Sequence, residues 1–429
     1  MISMADGSER LLQNIIPGDF ALTINEETYC LETKPVQRVQ ESGVKATVMV
    51  ETAGRTLRCS VNSLLLVNSH WGYACDVTPG DLVAVPKHLA FGNKRLTKHE
   101  LEILAIWLAE GSGYTISNTT PKILDITRSY ADAVCLTMVS NDGKDWGLHN
   151  GDRTGGPQAG SKNPLRRMLE SYGLWGCNSK TKFIPDIVFE LKKDQVARFL
   201  NLFFACDGNI SHRTKNTWSL ECGLANERLV RQLAKLLHKF GITGAIRHKV
   251  HQKVSTRTGK PFESWTFVTS RPGGISTFAT EIGCLAKELQ LRQALAAGKL
   301  SRGNCNRYLP IAHDDFIRHL QYKPTPKEGA ARRGGNNAVV GRDLPPALTH
   351  CLTSWRKQTA TRISTRRYER LRDFSDGFFD SVYIADVAWE EVKTVAPAGE
   401  AQTWNMTIEG CQNCISEGII THNTLLANC

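Results

Sequence analysis

Two nine-residue stretches constrain this chain more than anything else in it. ILAIWLAEG (residues 103–111) and LNLFFACDG (residues 200–208) are each apolar at helical spacing, with an acid at the eighth position and Gly at the ninth. Thr97 and Glu100, just before the first stretch, have the spacing of a capping box, and each Gly predicts where its helix stops. A helix C-terminus already carries partial negative charge, so an acid there is mildly unfavourable. Two helices that end on Glu110 and Asp207 make sense if a cation occupies the space between these carboxylates. Ala105, Ala109 and Ala205 predict close approach of the helices. Strand-like runs and a further helix follow each stretch (NERLVRQLAKLLHKFG after the second), so the region reads as a diverged internal duplication.

The flanks have a different texture. LLQNIIPGDFALTI and ACDVTPGDLVAVP each set a Pro-Gly-Asp turn before an alternating apolar run, and ATVMVETAGRTLRCSV predicts a hairpin turning near Gly54. Beyond a basic, Gly- and Pro-rich stretch (residues 301–376), β texture returns in DSVYIADVAWEEVKTVA, AQTWNMTIEG and EGIITHN. Within the basic stretch, PTPKEGAARRGGNNAVVGRDLPP reads as a loop and RISTRRYERLRDF as a helix. Two β halves around a duplicated insert predict one all-β domain (1–92 and 377–423) split by an α/β domain (93–300), with 301–376 as a linker or accessory DNA-binding segment.

The net charge of +11 favours an anionic partner, most often nucleic acid, and its excess lies in the middle of the chain. No apolar run approaches the ~18 residues of a membrane span. Nor does the first segment have a basic-then-apolar signal pattern, so a cytoplasmic setting, in a bacterial or phage-infected cell, is expected. The thirteen cysteines have no disulfide-framework spacing, and Cys411 and Cys414 form a CxxC with no second pair at zinc-site spacing.

The paired helix ends resemble the LAGLIDADG homing endonucleases in their two-motif, single-chain form. The resemblance implies helices packed about a pseudo-twofold axis, with Glu110 and Asp207 holding a divalent metal, usually Mg²⁺, at two scissile phosphates. It also implies flanking sheets that straddle a long double-stranded DNA site, and a chain that works as a monomer. KTKFIP resembles the family's lysine block and points to Lys182; IGCLAKEL points to Lys287 in the second repeat. Glu110 stands where the family usually has Asp, and its longer arm displaces the metal-binding oxygen.

The β halves resemble the Hint domain of an intein, the self-splicing module that hosts such endonucleases. MISMADGSERLLQNIIPGD is similar to its first block, GRTLRCSVNSLLLV to its second, and TWNMTIEGCQNCISEGIITHN to its last two. In the family a terminal Asn cyclises onto its own carbonyl, the preceding His handles protons, and the next residue is a Cys, Ser or Thr nucleophile. His422, Asn423 and Thr424 fit these roles in order, which makes residues 424–429 host protein.

Three positions depart from the family. The chain starts inside the first block, so the N-terminal nucleophile is not in it. Ser60 and Ser63 stand where the second block has Thr and His. Gln412, Asn413 and Cys414 replace a His-Asn-aromatic run. Asn405 stands at the position where some inteins carry a substitute Cys, and Cys411 or Cys414 is the remaining candidate nucleophile. Cleavage at Asn423 is therefore expected to outlast full splicing. TLLANC after the junction completes a P-loop if a Gly-Lys precedes the missing start, which makes a P-loop ATPase such as a phage terminase a candidate host. Two other readings stay open: an insert that binds DNA without cutting it, and a fragment whose activity is that of its host.

Overall fold

A computed structural model describes residues 1–150, 162–214, 217–254, 259, 261–298, 308–321, 346–358 and 361–422. Its contacts divide the chain into two units. One holds Met1, residues 3–11 and residues 88–304; the other holds Ile2, residues 12–87 and residues 305–429.

The first unit is built on the duplication. The first motif helix (Lys98–Glu110) starts at Thr97, whose side chain accepts from the Glu100 N–H, and the second spans Lys193–Asp207. Each helix is followed by two strands, a helix and two more strands. In the first repeat these are Gly111–Ser112, Thr115–Ser117, Pro121–Ala133, Leu136–Val139 and Asp145–Asn150. In the second they are Gly208–Thr214, Thr217–Leu224, Glu227–Lys239, Ala245–Val254 and Pro261–Thr269. Both sheets are antiparallel and share one order, in which the fourth strand lies between the second and the third. Helix-period apolar residues and β-branched runs alternate in the same sequence twice, so the same topology forms twice.

Trp107, Phe199, Phe203, Phe204, Phe267 and Phe278 are fully buried in this unit. The two motif helices are tied by Arg198, whose Nε and Nη2 donate to Glu102 Oε1 at 2.8 and 2.6 Å. Glu102 is buried, so this charge requires a partner.

Residues 3–11 also belong to this unit. Lys239, only 3% exposed, donates from Nζ to the carbonyls of Gly7 (2.9 Å) and Ala90 (2.5 Å), and Lys235 pairs with Glu9. Burial pushes the Lys239 ammonium down to about 8. Gly7 has φ +81°, and a Cβ there would sit 2.7 Å from the Phe189 carbonyl oxygen. At Gly92 a Cβ would sit 1.9 Å from the Glu190 oxygen and 2.6 Å from that of Asp6. Both positions therefore exclude any side chain.

The second unit is mostly antiparallel sheet. In one sheet Val387–Glu391 pairs with Leu82–Pro86, next to Leu64–Val67, then Ile419–His422, then Asn413–Ser416; His70–Tyr73 forms a hairpin on Leu64–Val67. In another, the long strand Leu31–Glu51 pairs with Thr394–Ile408, Phe20–Ile24 and Thr56–Ser60. The last pairing is the hairpin expected near Gly54. Val50, Leu57, Leu65, Val83, Val85 and Ile419 supply much of the core. The two Pro-Gly-Asp turns form alike: Gly18 and Gly80 have φ +93° and +102°, and Asp19 and Asp81 accept from the N–H groups of Ile16 and Thr78.

Within residues 305–386, short helices pack around Phe316, Trp355 and Tyr368, all fully buried. The helix expected in RISTRRYERLRDF forms at Thr365–Leu371. The Pro- and Gly-rich loop expected at residues 324–346 lies almost wholly outside the described residues. Strand structure, expected from 377, resumes at Val387, because Asp380–Ile384 forms a helical turn. Tyr368 and Arg372 both donate to the Asp380 carboxylate, which fixes that turn.

Candidate functional site

Two groups of side chains are candidates for chemistry, one in each unit. In the first unit, Glu110 and Asp207 end their helices and the following Gly turns directly into a strand. These glycines are not required by their backbone angles, since Gly111 has φ −84° and Gly208 φ −78°. They are required by closeness. A Cβ on Gly111 would lie 2.3 Å from Trp107 Cδ1, and one on Gly208 would lie 2.5 Å from Phe204 Cδ1. In both repeats an aromatic residue four positions back covers the helix end.

The two lysines repeat this equivalence. Lys182 donates from Nζ to the carbonyls of Trp107 (2.9 Å), Leu108 (3.1 Å) and Gly111 (2.7 Å). Lys287 donates to those of Phe204 (2.8 Å) and Gly208 (2.5 Å). Each ammonium thus adds a donor to helix-end carbonyls, of which Trp107 O and Phe204 O also accept from the Gly111 and Gly208 N–H, and offsets the negative end of the dipole. Lys182 is 5% exposed, and its Nζ also lies 4.7 Å from the Trp107 ring centroid.

The acids and lysines are electrically coupled. Burial, then repulsion from Glu110, pushes the Asp207 carboxyl up to about 6; Lys182 and Lys287 oppose this. Burial also raises Glu110, against the Asn118 hydrogen bond and the two lysines. Burial pushes Lys182 down to about 8, with Asp207 and then Glu110 pulling the other way. The influence crosses the repeats: Lys182 bears most on Asp207, while Lys287 outweighs Lys182 at Glu110. Asn118 is held by its Oδ1, which accepts from Thr120 N at 2.7 Å. Sequence reasoning missed Asn118, because a loop Asn following a short strand has no periodicity to announce it.

Two desolvated carboxylates, of which Glu110 raises the proton affinity of Asp207, offer hard oxygen donors with unmet negative charge. That donor set suits a divalent cation such as Mg²⁺, which takes one or two carboxylates and completes its shell with water and phosphate oxygens. Among the described residues there is no group of three or more His, Cys, Asp and Glu able to hold a metal. Cys411 and Cys414 are free thiols, and burial pushes Cys414 up to about 11.

In the second unit, His422 ends the last strand. Its ring lies edge-on to Trp71, with centroids 5.0 Å apart and planes at 74°. His422 Nδ1 is buried and has no hydrogen-bond partner among the described residues. Asn413 is the cross-strand neighbour of His422 and is fully buried. The Asn413 side chain accepts from Ile24 N (2.8 Å) and donates to Ile24 O and Glu26 Oε1, both at 3.0 Å. The other oxygen of Glu26 accepts from Trp71 Nε1 at 3.2 Å.

Gln412, where the resemblance expects His, is exposed. Ser60 and Ser63 share a hydrogen bond at 2.8 Å, and Ser60 donates to Asn62 Oδ1. Asn405 lies on the strand Thr394–Ile408, opposite Gln40 of the long strand. Asn423 and Thr424 lie outside the described residues. Nothing in the sequence marked Glu26 or Trp71, since the link between them joins positions 26, 71 and 413 through folding alone.

Among the described residues, no helix is long and apolar enough to cross a membrane. Comparison with known proteins concerns nearly the whole chain. Over 99% of its length the chain is 22% identical to the replicative DNA helicase DnaB of Synechocystis sp., covering 49% of that protein. It is 24% identical to DnaB of Rhodothermus marinus, again over 99% of its own length and 45% of the relative's. Over 92% it is 22% identical to the RecA protein of Mycobacterium tuberculosis, covering 51% of that protein. The chain thus spans about half the length of the curated relatives it matches. Among solved structures, a DnaB intein from Synechocystis sp. is 27% identical over 20% of this chain and 63% of that one, at a TM-score of 0.19. The family model for the intein splicing domain matches residues 2–423, which runs from the first strand to the Asn after His422. With nearly its whole length inside that match, the chain belongs to the intein splicing domain family, and its chemistry is self-splicing at peptide bonds.

Proposed function

We propose that this intein also carries a site-specific DNA endonuclease, housed in the first unit, and that its splicing unit retains C-terminal cleavage at Asn423. The observation that carries the endonuclease reading is the pair of equivalent helix ends. Two carboxylates, two lysines and two aromatic-covered glycines recur at matching places in two copies of one fold. A packing role alone does not call for acids at both ends.

Glu110 and Asp207 would hold Mg²⁺, which when bound supplies an activated water and stabilises the leaving oxygen of a phosphodiester. The chain's own side chains do the rest. Lys182 and Lys287 keep the helix ends rigid and place positive charge beside the opposite acid, where a phosphate must arrive. Asn118 fixes the longer arm of Glu110. Exposed Arg247 and Lys249 on the strand Ala245–Val254 offer phosphate contacts, and the net charge of +11 favours a double-stranded DNA partner.

The test is incubation with DNA bearing the uninterrupted insertion site. A double-strand break that requires Mg²⁺ and is lost in Glu110→Ala and in Asp207→Ala is the expected result. Tight binding with no cutting makes the insert a DNA-binding module. Retained cutting in either variant refutes the paired-acid assignment.

For the splicing unit, cleavage after Asn423 is supported by the position of His422 one residue upstream, at the end of a buried strand. Release of a C-terminal fusion partner, lost in Asn423→Ala, tests it. The host is proposed to be a P-loop ATPase. TLLANC following Asn423 supports this, as do relatives that are a replicative helicase and RecA. A phage terminase is one such host.

A further inference from the structure

The C-terminal step makes one geometric demand. The Asn423 side-chain nitrogen bonds to its own main-chain carbonyl carbon, the peptide bond to Thr424 breaks, and one proton leaves the side-chain amide as one joins the departing amine. The group that handles this proton must be aimed at the scissile bond. In this chain the exposed Gln412 stands where a second His is expected, so His422 carries that demand without it.

We infer that Trp71 and Glu26 are positioning residues for His422, which Glu26 serves by binding both of its neighbours. One carboxylate oxygen of Glu26 accepts from Trp71 Nε1 and the other from Asn413 Nδ2. Trp71 is the ring that the imidazole meets edge-on, and Asn413 is its partner across the strand pair. Asn413 is itself pinned to both main-chain polar groups of Ile24. The imidazole thereby meets Trp71 and has Asn413 opposite it in the strand pair, while its Nδ1 makes no hydrogen bond among the described residues. A buried ring nitrogen with no partner, in a ring held by its neighbours, is a proton carrier kept free for a reacting group.

The inference rests on the reading that His422 assists cleavage after Asn423, and the experiment separates the two. The full chain is fused at its C-terminus to a reporter, and release is timed for the parent, Trp71→Ala, Trp71→Phe, Glu26→Ala and Asn423→Ala. Trp71→Ala is expected to slow release about 10- to 100-fold, the scale of a misplaced catalytic group. Trp71→Phe, which keeps an aromatic edge contact, recovers most of the rate, and Glu26→Ala falls between them. In parallel, the His422 ring resonances, assigned by difference from His422→Gln, lose their ring-current shift in Trp71→Ala and move partway in Glu26→Ala. Where the parent releases faster than Asn423→Ala, release by Trp71→Ala at the parent rate overturns the inference; His422 resonances that do not move in a Trp71→Ala variant with parent-like melting overturn it in every case. If the parent and Asn423→Ala release alike, the cleavage reading fails, and the resonances alone decide whether Trp71 positions His422.

Discussion

Lys182 is tied by hydrogen bonds to the end of the first motif helix, yet the carboxylate that bears most strongly on it is Asp207, at the end of the second. The two repeats are therefore joined electrically as well as by packing. Asp207 nevertheless holds its proton up to about 6, because burial and Glu110 outweigh both lysines.

That balance fixes a pH dependence. The folded carboxyl binds its proton more tightly than the unfolded one, whose ordinary value is 3.8. Ionising Asp207 thus costs stability, fully above about pH 6 and not at all below the unfolded value, a cost of up to about 3 kcal/mol. Asp207→Asn should raise the thermal transition of the metal-free protein at pH 7.5 and leave it unchanged at pH 3.5. Calorimetry at the two pH values checks this; equal shifts at both would show that the gain is not electrostatic.

Lys182→Met should destabilise the first unit by about 1–3 kcal/mol, because the carbonyls of Leu108 and Gly111 lose the Lys182 donor and Trp107 O keeps only the Gly111 N–H, in a buried site. Lys287→Met should cost less, since Lys287 serves two carbonyls and is less buried. Urea titration of both variants provides the comparison, and the order of the two midpoints is the prediction.

Gly111→Ala puts a methyl group into the Trp107 ring and should cost about 1–3 kcal/mol of overpacking. The backbone angle at Gly111 is ordinary, so shrinking the ring should relieve the clash. In a double-mutant cycle with Trp107→Leu, the two costs should add to less than their sum. Strict additivity would place the strain in the backbone instead.

Asn413→Ala removes the side chain that satisfies the N–H and C=O of Ile24, and should cost about 2–3 kcal/mol. Asn413→Asp keeps the acceptor but loses both donated hydrogen bonds and sets a second carboxylate beside Glu26, so it should be worse at pH 8 than at pH 4. Hydrogen exchange at the Ile24 amide gives the local readout.

Much of this was legible in the chain. Thr97, Glu100 and the two acid-Gly ends are local signals, and they mark the motif helices and the duplication in the chain itself. The Pro-Gly-Asp turns and the hairpin near Gly54 are local in the same way. What escaped notice was assembled from distant positions. The lysines were found by resemblance, but their grip on helix-end carbonyls depends on how a loop returns to the helix. Asn118 and the bracket of Glu26, Trp71 and Asn413 around His422 exist only once separate strands are paired. The turn at Asp380–Ile384 has β-like composition and is shaped by Tyr368 and Arg372 reaching it from another helix.

The anchoring of residues 3–11 bears on how this element can be lost. The carbonyl of Gly7 depends on Lys239, and Gly7 itself fits only against Phe189 and Gly92. Two of these supports, Lys239 and Phe189, lie inside the stretch that a deletion back to a bare splicing module would remove. Such a deletion would leave the opening segment of the splicing machinery with its backbone acceptors unsupported. The insert is thus no mere passenger: loss of the proposed nuclease should proceed by point mutation at Glu110 or Asp207, which keeps the scaffold, sooner than by excision.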